Sequence, residues 1–164
     1  MAMSETGTSG ILALGQMLAM IVLLEVLVQA FTVRQTVQKP FYIYSSSQLN
    51  LTGTTTIFSA STGGKLESMR IVTSQNDFSL ILVIDDNQTV IPSSAIMNGA
   101  VPMPGISYVP TQDNTTFVLA LDNIEFSKSL QVIIQPATTL TIYSITAKGY
   151  TLEQVTRFGL TSLG

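Results

Sequence analysis

Residues 11–33 (ILALGQMLAMIVLLEVLVQAFTV) form one long apolar stretch, and the chain after Lys39-Pro40 has an entirely different texture. The stretch is rich in Leu, Met, Ala, Ile and Val, with Gly15 alone against helix, so it predicts a single long helix. At 1.5 Å per residue it would form a rod of about 34 Å, with Thr8 or Ser9 as its N-cap. A greasy rod of that length must be covered, either by lipid or by neighbouring subunits. Anchoring or assembly follows more naturally from this layout than chemistry does.

Three polar residues argue against a simple lipid span. Glu25 sits near the middle, where a charge costs roughly 2.5–3.5 kcal/mol on insertion scales. Glu25 and Gln29 lie four residues apart on one helical face, with Leu18, Ile21 and Val22 above them, and Gln16 lies about opposite. A helix with polar groups on a defined face presents that face to protein. The reading is a helix that packs through Leu18, Ile21, Val22, Glu25 and Gln29 against copies of itself or another subunit, with lipid on its remaining sides. A cleavable leader is the rival, because Val28-Gln29-Ala30 has the small-x-Ala form, but residues 1–10 contain no Lys or Arg. A helix buried inside a soluble domain is the other rival, and the abrupt change to β-pattern argues against it. Arg34 and Lys39 flank only the C-terminal side of the helix, a weak vote on orientation.

Composition narrows the function classes. Only 10% of the 164 residues are charged and the net charge is −3, while mean hydropathy is +0.42. About a quarter of residues are charged in an ordinary soluble protein, so much of this surface calls for a cover. The negative charge and the scattered single Lys and Arg residues exclude a basic nucleic-acid footprint. There is no Cys, His or Trp. That removes thiol and imidazole catalysis, His/Cys zinc sites and iron–sulfur clusters. No catalytic residue, cofactor site or metal site is expected.

From Phe41 on, short β-propense runs alternate with turn signals: Phe41–Tyr44, Gln48–Thr52, Thr54–Ala60, Leu66–Thr73, Phe78–Ile84, Phe117–Leu121, Leu130–Ile134 and Leu140–Tyr150. The run Leu66–Thr73 slips around Ser68-Met69, which suggests a bulge. Phe78–Ile84 is apolar throughout its centre and suits an interior strand. The expected fold is mainly β: a long N-terminal hydrophobic helix followed by an antiparallel β-sandwich of about eight strands, jelly-roll or immunoglobulin-like. The implied organisation is a polar arm (1–10), the helix (11–38), the β head (39–152) and a tail (153–164).

Candidate sites are few. Asp85-Asp86-Asn87 reads as a turn, with a calcium ligand set as the less favoured alternative. Residues 93–110 read as a long loop with a type I′ signal at Asn98-Gly99. That loop, through Met97, Asn98, Met103, Pro104 and Tyr108, is the candidate contact surface for a partner subunit or receptor. Three sequons make Asn50, Asn87 and Asn114 candidate glycosylation sites. The aromatics Phe41, Tyr42, Tyr44, Tyr108 and Tyr143 suit core packing better than a sugar site.

These features lead to a non-enzymatic structural subunit of a multi-copy assembly, in a virion or at an extracellular surface. Its partners would be copies of itself, other shell or filament subunits and a lipid membrane. An N-terminal hydrophobic helix under a β head also resembles archaeal type IV pilin-like filament subunits. That resemblance implies helices bundled along a filament axis. A membrane-anchored carbohydrate-binding module is the third reading.

Overall fold

The computed structural model describes residues 6–30, 32–112 and 115–158, and the side chains of 14–26, 34–112 and 115–156. The protein is mainly β, with two antiparallel sheets and an N-terminal helix. Two compact units emerge: residues 37–153 form one, and the described parts of 1–36 and 154–164 form the other.

In the smaller unit, α1 (Thr6–Ala30) precedes the start of β1 (Thr32–Ser45). The sequence pattern carried the helix to residue 38 and opened the first strand at Phe41. The structure corrects both boundaries. β-Branched pairs such as Thr36-Val37 favour extended backbone. Lys39-Pro40, read from sequence as the border, lies inside β1. A Pro is tolerated there because β1 is an edge strand, with one side free of ladder hydrogen bonds. At the other end, β10 (Leu140–Phe158) runs on past the expected border at 152, so the tail is strand as far as Phe158.

In the larger unit, β2 (Leu49–Leu51), β4 (Gly64–Thr73), β7 (Ile106–Pro110) and β8 (Phe117–Phe126) join β1 and β10 in the order β1-β10-β4-β8-β7, with β2 also on β10. The second sheet has the order β3-β9-β5-β6, from β3 (Thr55–Ala60), β5 (Phe78–Ile84), β6 (Asn87–Pro92) and β9 (Leu130–Pro136). Both sheets contribute to one cluster of buried side chains. Leu66, Ile71, Leu119, Leu121 and Ile142 come from the first sheet, and Leu80, Leu82, Leu130, Val132 and Ile134 from the second. All ten are fully buried. Alternation along each strand selects them, because successive side chains point to opposite faces. β5 spans the same residues that the sequence marked as an interior strand, and it lies between β9 and β6.

The slip in β4 is real and is shared with its neighbour. Leu66 pairs with Ile124 and Ser68 with Asp122, which leaves Glu67 opposite Asn123. Both are exposed, and Asn123 takes a φ of 57°, a left-handed setting that Asn enters more readily than most residues. Each strand thereby spends one extra residue, and apolar residues face the core on either side of the kink. Gly105 locks this region. Its φ is 81°, its carbonyl accepts the Asp122 amide at 2.7 Å, and a Cβ there would stand 2.1 Å from the Asp122 carbonyl oxygen. Only glycine satisfies both constraints.

Candidate assembly surface

Every described side chain on α1, residues 14–26, is exposed. Leu14, Met17, Leu18, Met20, Ile21, Val22, Leu23, Leu24 and Val26 are each between 53% and 73% exposed. Spaced this way, they point in all directions around the axis rather than along one stripe. Of the proposed packing face, Leu18, Ile21, Val22 and Glu25 are all exposed, whereas the Gln29 side chain lies outside the described residues. Glu25 forms no hydrogen bond or ion pair among the described residues. Among those residues, no helix is long and apolar enough to cross a membrane.

The expected contact loop is largely ordered into secondary structure. Residues 93–97 form α2 (Ser93–Met97), and residues 106–110 form β7 against β8. Asn98-Gly99 does not make a hairpin turn. Asn98 caps α2, and Gly99 takes a φ of 71°, with its amide donating to Ile96 O at 3.0 Å and the Ala100 amide to Ala95 O at 2.9 Å. The same dipeptide serves a hairpin or a helix C-terminus, since each needs a left-handed residue. Met97, Asn98 and Pro104 are exposed, and Met103 packs half-buried on the core.

Tyr108 is only 2% exposed, so it belongs to the core and not to a contact surface. Its ring meets Phe78 edge-on at 5.2 Å and stacks on Phe117 at 5.5 Å. Its hydroxyl donates to Gln75 O at 2.7 Å and sits 2.7 Å from Thr73 Oγ1. Burial pushes the phenol up to about 12. The alternation Ile106-x-Tyr108 was the available signal, and the surrounding Pro and Gly residues masked it.

Of the sequons, Asn50 is exposed on β2, and its Oδ1 accepts a hydrogen bond from Thr141 Oγ1 at 2.8 Å. Asn87 is exposed at the start of β6. Asn114 lies outside the described residues.

Asp85 and Asp86 form the two-residue turn between β5 and β6, with φ of 51° and 73°. Both values are positive, as a type I′ hairpin requires. The Asp85 carboxylate does not point outward to an ion. It accepts the amides of Ser127 at 2.9 Å, Lys128 at 2.6 Å and Ser129 at 3.1 Å, and the Ser127 hydroxyl at 2.7 Å. Those backbone amides hold the carboxyl well below the usual carboxylate range. The group tethers one hairpin tip to the β8–β9 connection, and no group of three or more potential metal ligands occurs among the described residues. A depressed folded-state pKa stabilises the fold above the ordinary value of 3.8, and the effect is lost as pH falls through the folded value. Asp85→Asn should therefore melt lower than the parent at pH 7. The gap should close in thermal scans taken at progressively more acidic pH below the ordinary carboxylate range. A pH-independent gap would show that charge is not the cause.

No protein-family model matches the chain, and no curated protein matches its sequence.

Proposed function

We propose that this chain is a non-enzymatic structural subunit of a multi-copy assembly, held together by α1, with the larger unit as a β-sandwich head of jelly-roll or immunoglobulin-like type. The carrying observation is the exposure of nine large apolar side chains around α1. Burying each contributes about 1.5–3 kcal/mol, so covering the helix contributes on the order of 10 kcal/mol per chain. That far exceeds the effect of any scattered surface residue. Glu25 gives the packing its specificity: a carboxylate in an apolar contact must find a polar partner, so only certain arrangements of neighbours are tolerated.

A virion shell or shell-associated protein is the favoured setting, on a surface too poor in charge to stay bare. Exposure on every side of α1 also favours a second setting, the core of a filament, where each helix is surrounded by others. A sugar-binding module is the weaker reading, because buried Tyr108 cannot stack on a ligand.

Electron microscopy and sedimentation of the purified full chain test the proposal. The expected result is particles or filaments of defined symmetry, with α1 in their interior. Glu25→Leu should reduce the yield of ordered particles while the chain still self-associates. Unchanged particle yield counts against a packed polar face. A detergent-free monomer would sink the proposal.

A further inference from the structure

Charge is divided unequally between the two sheets of the larger unit. On β4, β8 and β10 the side turned away from the core carries Lys65, Glu67, Arg70, Asp122, Glu125 and Lys148. Several of these pair: Arg70 grips Asp122 with both nitrogens at 2.7 and 3.0 Å, and Lys65 meets Glu125 at 3.1 Å. The four strands of the other sheet read TTIFSA, FSLILVI, NQTVIP and LQVIIQP. None contains a charged residue.

The outward side of that sheet is uncharged, made of Val, Ile, Gln and the hydroxyl residues Thr56, Ser59 and Ser79. Val90, Ile81 and Ile133 stand side by side in one cross-strand row, and Gln88, Val83 and Gln131 in the next. Val90 is 51% exposed. Ile81, between Val90 and Ile133, is buried yet stands outside the core cluster, as expected for a residue on the opposite side of the sheet. Both edge strands, β3 and β6, also lack the Lys or Glu residues that natural sheets use to repel unwanted pairing.

We infer that the outward side of the β3-β9-β5-β6 sheet is an interface, and that its occupant is a second copy of this chain. The inference rests on the assembly reading above. Two arguments identify the occupant. A charged partner surface would lose its hydration against Val, Ile and Gln without gaining a counter-charge, so the complementary surface must itself be neutral. This chain offers such a surface on every copy. Area gives the second argument. Four strands about 4.8 Å apart and about 20 Å long make a footprint of roughly 400 Å², about half of what each partner contributes to a stable free complex. A contact that small holds only molecules already kept close, and heads gathered by bundled helices meet that condition.

The chain has no cysteine, so a single introduced thiol reports cleanly. Val90→Cys is placed in the full chain, with Val109→Cys as its match: Val109 is 53% exposed on β7 of the charged sheet. Each is labelled with a benzophenone maleimide, assembled, irradiated, and mapped by mass spectrometry of the adducts. The expected result is several-fold more adducts between copies from V90C than from V109C. Equal yields in assembled samples, or V90C adducts to lipid or to another protein, overturn the inference and leave the assembly reading standing. Failure of the unlabelled full chain to assemble overturns both.

Discussion

Leu18→Lys combined with Ile21→Lys is expected to leave the full chain dispersed where the proposed assembly would gather the parent into particles. The two positions lie three residues apart on one helical face and are 62% and 58% exposed. In an assembly each substitution removes about 1.5–3 kcal/mol of apolar burial and adds the penalty of placing an ammonium in an apolar contact. Together these exceed about 5 kcal/mol per chain, which is more than a thousandfold in association. The larger unit should be unaffected, since residues 37–153 form it without α1. Sedimentation velocity reads the first effect and thermal unfolding of the larger unit the second. An unchanged size distribution would mean that α1 is not the element holding copies together.

Tyr108→Ala should destabilise the larger unit by about 3–5 kcal/mol, the usual result of truncating a buried aromatic side chain. The side chain is in ring contact with Phe78 and Phe117, so the cavity would open between two rings that then lack a shared neighbour. Tyr108→Phe separates packing from hydrogen bonding. It keeps both ring contacts and removes only the hydroxyl, and Thr73 Oγ1 still donates to Gln75 O at 3.1 Å, so a loss of about 1 kcal/mol is expected. Urea titration of both variants measures these values. A Tyr108→Ala loss under about 1 kcal/mol would contradict the buried placement.

Much of the architecture was legible because it depends on periodicity. Leu130, Val132 and Ile134 alternate with Gln131, Ile133 and Gln135, and an alternating run can bury one face only as a strand. The run Leu80-Ile81-Leu82 announces a strand flanked on both sides, and β5 is one. The bulge in β4 was visible as a break in that alternation. Boundaries were less legible. Lys39-Pro40 looks like punctuation, yet an edge strand absorbs it, and edge position is a property of the sheet rather than of the dipeptide.

The site residues show the same divide. Met97 and Pro104 are exposed as expected of a loop, but Tyr108, a few residues on, is core. Asn98-Gly99 signals a left-handed residue without saying whether a hairpin or a helix end will use it. Asp85 signals a turn, but its carboxylate is held by amides more than forty positions away in sequence.

What the sequence determined alone is local and compositional: an N-terminal helix, strands of period two, and the absence of Cys and His for thiol or imidazole chemistry. The tertiary structure decided which strands share a sheet, and with that, which surfaces carry charge. The sorting of every charged strand residue of the larger unit away from β3, β5, β6 and β9 is invisible along the chain, because those strands are interleaved in sequence with the charged ones. Pairing between distant segments creates a face, and a face is where complementarity to a neighbour is set.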